Sequence, residues 1–389
     1  MLLSLAIIFI LGLLANKLFT IIKLPGFLSM LLIGVLVGPY LLNFIHPQFL
    51  SLSTDFRKVA LIIILLRAGL SLSKNQLPSV GAVALKMSFI PCIFEGTAVA
   101  FASVYLLGFS PIQGFMLGFI LAAVSPAVVI PAMLELNKND RAKKVSTIIL
   151  AGASVENVLA ITIFSTFLGL YGNENANALS KFASVPISIV LGIILGIITG
   201  FLIIYLSKRY HIRDTKKVLI IISIAILLTS LETMLQNKVG VASLLGVMTM
   251  GFILLEKLPV VAKRLSVKFS KIWVIAEIVL FVLVGAQVNI FGVVSAGING
   301  LIIIFIGLLA RSIGVIVSTI GHNLTMRERL FCIIAYVPKA TVQAAIGTIP
   351  LATGVASGEL MLSIAVLAIL ITAPIGAVGI KLGSNLLDK

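Results

Sequence analysis

Charge is what this chain has least of. Only 11% of its 389 residues are Asp, Glu, Lys or Arg, against roughly 25% in soluble domains. That scarcity excludes an ordinary water-soluble globule. Acids are rarer than bases, 13 against 29, so any acid inside an apolar run asks for a reason. Cysteine is nearly absent. Cys92 and Cys332 both fall in apolar segments without ligand spacing, which argues against a disulfide framework. Histidine is confined to His46, His211 and His322, all at span ends or in loops. With no HExxH, no CxxC and no phosphate loop, there is no enzyme constellation, and no cofactor is expected. The apolar start MLLSLAIIFILGLLANKLF lacks the basic leader and small-residue cleavage site of a signal peptide, so it reads as a first span. No long polar tail flanks the apolar runs, so neither an appended regulatory domain nor a soluble partner is expected.

What is present is hydrophobic length. The chain is 60% hydrophobic, with mean hydropathy +1.22. Runs of roughly 20 apolar residues, enough to cross a bilayer as helix, recur from end to end. A membrane barrel would show alternating segments of about ten residues instead. The fold class is therefore an all-α polytopic membrane protein embedded in lipid, with about thirteen transmembrane helices. Their expected positions are 2–22, 26–44, 57–74, 79–107, 111–135, 145–172, 184–207, 216–235, 239–256, 270–289, 297–320, 328–350 and 358–385.

The net charge of +16 would suggest nucleic acid in a soluble protein. Here the positives sort by side. Arg57, Lys58, Lys181 and Lys238 fall on one set of loops, and Arg67, Lys86, Arg311 and Lys339 fall within spans. The other 21 of the 29 lie on the opposite set of loops or at the C-terminus. The positive-inside rule makes that richer side cytoplasmic. The expected topology is N-terminus outside and C-terminus inside, in the cell membrane, with no role for nucleic acid.

Two spans are interrupted at their centres. The fifth reads GFILAAVSPAVVIPAML, with Ser125-Pro126 in its middle, and the twelfth reads CIIAYVPKATVQAAIGTI, with Pro338-Lys339 in its middle. A proline removes a backbone donor and disturbs the preceding turn. In lipid the freed carbonyls need partners, so broken helices belong where they line a cavity. Matched breaks in two halves mark the binding region of an inverted-repeat transporter. Spans 1–6 and 8–13 form two halves of opposite orientation joined by span 7, and each break falls in the fifth span of its half. The expected layout is a single exchanger-type domain over 1–389: one repeat at about 1–172, a linker helix at about 184–207 and a second repeat at about 216–385. Two broken helices cross in its middle. The competing reading is a pair of ordinary proline kinks.

Buried charge singles out the site. A carboxylate at mid-membrane depth costs several kcal/mol unless it has a partner or water. Glu95 and Glu156 sit near mid-depth, and so do Arg311 and Lys339. Glu156 stands in LAGASVENVLAITIFSTF beside Ser154, Asn157 and Thr162, which makes it the candidate ion carrier. Spans 4 and 11 hold equivalent places in the two halves, so Glu95 and Arg311 are expected to pair. That pair is either a static bond between the halves or part of the mechanism. Lys339 is expected to neutralise the C-terminal ends of the half-helices. Glu277 is either an interior polar contact or a further group on the ion path, and Glu232 reads as an exposed end residue.

Six stretches carry a family resemblance: KLPGFLSMLLIGVLVGPYLL (23–42), AAVSPAVVIPAM (122–133), GASVENVLAITIFS (152–165), IAEIVLFVLVGAQVNI (275–290), YVPKATVQAAIG (336–347) and AILITAPIGAVGI (368–380). The chain resembles the sodium/proton exchangers of the cation:proton antiporter superfamily, on the branch with the animal subfamily B sodium/hydrogen exchangers and their bacterial relatives. The resemblance implies two inverted repeats, a dimerisation part (hence a homodimer), and a core part that carries the ion by an elevator-like motion. It matches the family's acid in span 4 to Glu95 and its basic partner in span 11 to Arg311. Members carry Asp-Asp or Asn-Asp where this chain has Glu156-Asn157, and in relatives the second acid carries the ion. Asn can lend an oxygen to sodium but cannot release a proton.

The expected mechanism is competition of sodium or lithium with protons for Glu156. Ser125, Ser154 and Asn157 would complete the sodium shell. One titrating acid predicts electroneutral, one-for-one exchange. The competing classes are a degenerate, non-transporting relative acting as sensor or scaffold, favoured by Asn157, and a passive channel, which a site of buried opposite charges suits less well.

Overall fold

The structure, a computed structural model, describes residues 2–21, 25–71, 81–136, 142–171, 178–210, 213–235, 241–384 and 387. Residues 72–80, 137–141, 172–177, 211–212 and 236–240 lie outside the described ones, together with the charge assignments made on them, such as Lys74, Lys138 and Lys238. The helices run in the order α1 (Leu2–Ile21), α2 (Gly26–Val37), α3 (Pro47–Ser51), α4 (Ser53–Gly69), α5 (Gly81–Leu107), α6 (Pro111–Leu121), α7 (Pro126–Leu136), α8 (Lys143–Leu170) and α9 (Ala178–Arg209). They continue with α10 (Asp214–Leu235), α11 (Ser243–Lys257), α12 (Pro259–Ala286), α13 (Ile290–Thr319), α14 (Met326–Ala335), α15 (Thr341–Ile346), α16 (Ile349–Ala352) and α17 (Gly358–Gly383).

Each of the thirteen stretches read as a span carries helix. Seven helices among the described residues are long and apolar enough to cross a bilayer unaided. The fifth stretch is split into α6 and α7, and the twelfth into α14, α15 and α16.

The largest boundary error is at α12, which starts at Pro259 rather than near 270. Its first turns carry Lys263, Arg264, Lys268 and Lys271, so a hydropathy window rejects them. They are nonetheless helical, because Ala262, Leu265, Phe269 and Trp273 make a buried stripe at helical spacing. Similarly, α13 begins at Ile290 and turns at Gly297, whose φ of 42° suits a residue without Cβ.

The chain divides into two compact units. One comprises Met1–Arg57, Val80–Tyr171 and Glu277–Lys389; the other comprises Lys58–Ser79 and Gly172–Ala276. In the second unit α9 packs on α11, and Arg67 places its guanidinium 5.6 Å from the centroid of the Trp273 ring. Glu232, expected to be an exposed end residue, is half-buried and accepts a hydrogen bond from the Ser243 hydroxyl.

In the first unit α5 is the central packing element, touching α6, α8 and α13. Close approach is what permits this. A Cβ on Gly314 would come within 2.7 Å of Pro91 Cα, so α13 can lie backbone-to-backbone on α5 only with glycine there. Small residues let membrane helices approach this way. The two interrupted stretches start alike. Ser110 caps α6 in a capping box with Gln113, and Thr325 caps α14 in a capping box with Glu328. Each then runs about ten residues to its break.

Candidate functional site: a four-charge cluster at two broken helices

The first break follows from Pro126. The residue before a proline is pushed out of helical conformation, and Pro126 has no N–H to offer the Ala122 carbonyl. The last helical bond of α6 runs from Ala122 N–H to Gly118 O at 2.9 Å. Ser125 N–H turns away and donates to Pro338 O at 2.9 Å. That bond ties the first break to the second, where Val337, Pro338, Lys339 and Ala340 connect α14 to α15.

Diverting these donors leaves the carbonyls at the end of α6 without their helical partners. Two side chains take them. Gln343, on α15, aims its amide nitrogen at Ile120 O (3.2 Å), Leu121 O (3.4 Å) and Ala123 O (2.7 Å). Arg311, on α13, donates from Nη2 to Ala122 O. Lys339 was expected to neutralise the half-helix ends and does not make these bonds. Its ammonium lies 2.7 Å from Glu95 Oε1 and 2.9 Å from Oε2. A full carboxylate outbids the partial charge of a helix end. The Lys339 backbone N–H is held by Thr372 Oγ1 at 3.0 Å.

Arg311 is the hub. Its Nε donates to Glu95 Oε2, its Nη2 to Ala122 O, and its Nη1 stands 3.0 Å from Glu156 Oε1. Arg311, Glu95, Glu156 and Lys339 are each at most 1% exposed. The structure therefore gathers four buried charges, two of each sign, at the helix breaks.

The two acids are held very differently. Glu95 receives hydrogen bonds from both bases. Glu156 is held by Arg311 alone, with Nη1 3.0 Å from Oε1, and neither of its oxygens has a further hydrogen-bond partner among the described residues. Other polar groups at the two breaks and on α8 are likewise without a partner among the described residues. Both polar atoms of Asn157, the Ser125 hydroxyl, the Tyr336 hydroxyl and Gln343 Oε1 are buried without a partner. In a low-dielectric interior such groups are costly, and an unpartnered acid beside an unpartnered amide on one helix, at residues 156 and 157, points to a ligand site.

Ser154 lies on α8, two residues before Glu156, but its side chain is outside the described ones. Glu277 is half-buried on α12 and is not one of the four joined charges.

Tyr336 and Gln343 were not read from the sequence as site residues. Tyr336, at the end of α14, lies with its ring centroid 5.6 Å from the Arg311 guanidinium carbon. Its hydroxyl fits against Gly152 on α8, one helical turn before Glu156, where any Cβ would collide with it. The signal for Gln343 was available. A mid-span amide is unusual for the same reason as a mid-span acid, and it stands four residues past the Lys339 already singled out.

The chain matches the family described as "Sodium/hydrogen exchanger, transmembrane" over residues 5–382. It belongs to that family. Sodium/hydrogen exchanger 9B2 of Mus musculus is 33% identical over 98% of this chain and 73% of its own length. The Homo sapiens protein of the same name is 33% identical over 96% and 72%. Sodium/hydrogen exchanger 9B1 of Macaca fascicularis is 31% identical over 99% and 79%. In fold, the chain is similar to the sodium proton antiporter MjNhaP1 of Methanocaldococcus jannaschii at pH 8. The TM-score is 0.85 at 21% identity, over 99% of this chain and 97% of that one. The likeness places the helices in a multi-span antiporter fold.

Proposed function

We propose that this protein exchanges a monovalent cation, sodium or lithium, for protons across the cell membrane by alternating access, with Glu156 as the group both ions compete for. The observation that carries the reading is the contrast between the two buried acids. Glu95 is bonded by Arg311 and Lys339, whereas Glu156 has only its 3.0 Å contact with Arg311, and the oxygens of Asn157 and Ser125 are buried without a partner among the described residues. Hard cations take oxygen ligands, and Asn157, Ser125 and Ser154 are the sodium ligands we assign beside Glu156. Arg311, Glu95 and Lys339 are the fixed charge partners. The names of the relatives support the ion class.

A single titratable carrier, Glu156 with an amide at Asn157 beside it, supports a one-for-one stoichiometry. Two acids and two bases sum to zero. Adding one sodium or one proton gives +1 in either case, so the two loaded forms carry equal charge. Exchange is then electroneutral. The proposal includes the two inverted repeats, at about 1–172 and 216–385, a homodimer, and an orientation with the N-terminus outside and the C-terminus cytoplasmic.

The test is reconstitution into vesicles loaded with a pH-sensitive dye. Sodium or lithium should drive proton movement at a rate unchanged by an imposed potential, and Glu156→Gln should abolish it. Potential-driven flux would refute the one-for-one stoichiometry, and a fully active Glu156→Gln would remove the residue as carrier. A second reading rests on the 3.0 Å approach of Arg311 to Glu156. In it the four charges form a locked cluster, and the protein is a non-transporting sensor or scaffold. Absence of cation-driven proton flux at every pH, in vesicles that hold folded dimer, would establish that reading.

A further inference from the structure

Four consecutive carbonyls, Ile120 to Ala123, end α6 beside the charge cluster. One guanidinium measures how near they lie: Arg311 holds Ala122 O with Nη2 and stands 3.0 Å from Glu156 with Nη1. Such a row of oxygens is a ready cation-binding surface, the kind from which selectivity filters are made. It is nevertheless engaged. Three of the four point at the amide nitrogen of Gln343, at 2.7 to 3.4 Å, and the fourth at Arg311. Gln343 is wholly buried, and its own carbonyl oxygen has no partner. A neutral amide nitrogen has two hydrogens, yet three carbonyls lie within 3.4 Å of it, so the amide is shared among them.

We propose that Gln343 is a specificity-determining residue that withholds the α6 carbonyls from the transported cation. With the carbonyls engaged, the ligands left are the side-chain oxygens around Glu156, a small set that suits a small cation. With Gln343 unable to donate, Ile120, Leu121 and Ala123 present free oxygens to the same space. Larger cations accept more ligands at longer distances, so the advantage of sodium over potassium and rubidium shrinks. Gln343 thus acts on selectivity by occupying oxygens, while Glu156 keeps the exchange coupled to protons. The inference rests on the proposed exchange at Glu156.

The experiment is vesicle exchange by wild type, Gln343→Leu and Gln343→Asn. Leu has similar bulk and no donor; Asn keeps the amide but is one methylene too short to reach three carbonyls. The readout is the ratio of KM for potassium to KM for sodium, with thermal melting of each purified protein measured in both salts. The expected result is a fall of that ratio by about tenfold in Gln343→Leu, equivalent to ~1.4 kcal/mol, and a smaller fall in Gln343→Asn. Potassium should also raise the melting temperature of Gln343→Leu more than that of wild type. Folded variants with an unchanged ratio would overturn the proposal, since a purely structural cap alters stability and rate but not selectivity. Failure of both variants to fold in either salt would overturn it too, because Gln343 would then be a cap and nothing more. If the wild type itself shows no cation-driven proton flux, it is the underlying exchange reading that fails, and a potassium-specific melting shift in Gln343→Leu still registers the freed oxygens.

Discussion

The unequal bonding of the two buried acids makes Glu95→Gln and Glu156→Gln a decisive pair. Glu95 accepts from Arg311 Nε and Lys339 Nζ. Removing its charge leaves two buried cations facing one carboxylate, and breaking a buried ion pair from one side costs about 3–5 kcal/mol. Glu156 has only its contact with Arg311 to lose, and its removal leaves Arg311 still bonded to Glu95 and to Ala122 O. Its loss too leaves two buried cations facing one carboxylate and should cost about 3 kcal/mol, the lower end of that range, whereas Glu95, which also gives up hydrogen bonds to both bases, should fall at the upper end. The assay is thermal unfolding of the two purified variants beside wild type, in detergent and without sodium, followed by vesicle exchange. Glu95→Gln should melt several degrees lower and keep some exchange at reduced temperature, with weaker sodium affinity because the surplus positive charge repels the cation. Glu156→Gln should melt between Glu95→Gln and wild type and carry nothing. If instead Glu156→Gln is the more destabilised and Glu95→Gln the transport-dead one, the assignment of carrier and anchor is reversed and the reasoning from hydrogen bonding fails.

Three further predictions use other parts of the structure. Gly152→Val puts side-chain atoms where the Tyr336 hydroxyl sits; it should destabilise by about 1–3 kcal/mol and slow exchange through a displaced Arg311, measured by melting and by vesicle flux. Asn157→Asp supplies a second titratable group beside Glu156, so exchange should become sensitive to an imposed potential; a flux that still ignores potential would contradict the single-acid account. Away from the membrane spans, Arg264 hydrogen-bonds Asp214 at 2.7 Å and holds its carboxyl below the usual carboxylate range. A carboxyl whose folded-state pKa is depressed stabilises above its unfolded value and loses that contribution as pH falls through the folded one. Asp214→Asn should therefore lower stability on the neutral side, match wild type in acid, and so flatten the fall between them.

The helix inventory was legible because lipid imposes one rule on every span. All thirteen stretches chosen by apolar length carry helix. The failures fall where length and hydropathy stop being the controlling variables. At the start of α12, Lys263, Arg264, Lys268 and Lys271 mask a buried stripe that only the 3.6-residue period reveals. The short α3 is set by the Pro47 start and by the His46 ring nitrogen accepting from Gln48 N–H, features too local for a window of membrane length. The breaks were readable for the opposite reason: Pro126 and Pro338 act through covalent geometry, which no tertiary context can remove.

Within the site, what the sequence conceals is who bonds to whom. Depth and charge singled out Glu95, Glu156, Arg311 and Lys339, because an ionised group in an apolar run is conspicuous by its cost. They did not assign partners. Lys339 was expected at the helix ends and is found on Glu95; the helix ends are held by Gln343 and Arg311. A sequence shows the side chains that demand partners, but the carbonyls of Ile120 to Ala123 belong to four apolar residues and leave no trace in composition. Only when Pro126 and the diverted Ser125 N–H are placed in space do those oxygens become unmet acceptors. Gln343, a neutral amide in the run TVQAAIG, then acquires a purpose. The break creates the oxygens, the oxygens call for a donor, and a neutral donor occupies them without adding charge. A lysine in its place would serve the carbonyls equally well but would raise the cluster from zero to +1 and oppose every cation that approached Glu156. Gln343→Lys should for that reason abolish sodium binding while preserving the fold, read as loss of the sodium-dependent rise in melting temperature; a variant that melts higher in sodium just as the wild type does would show that the balance of charge around Glu156 does not govern the site.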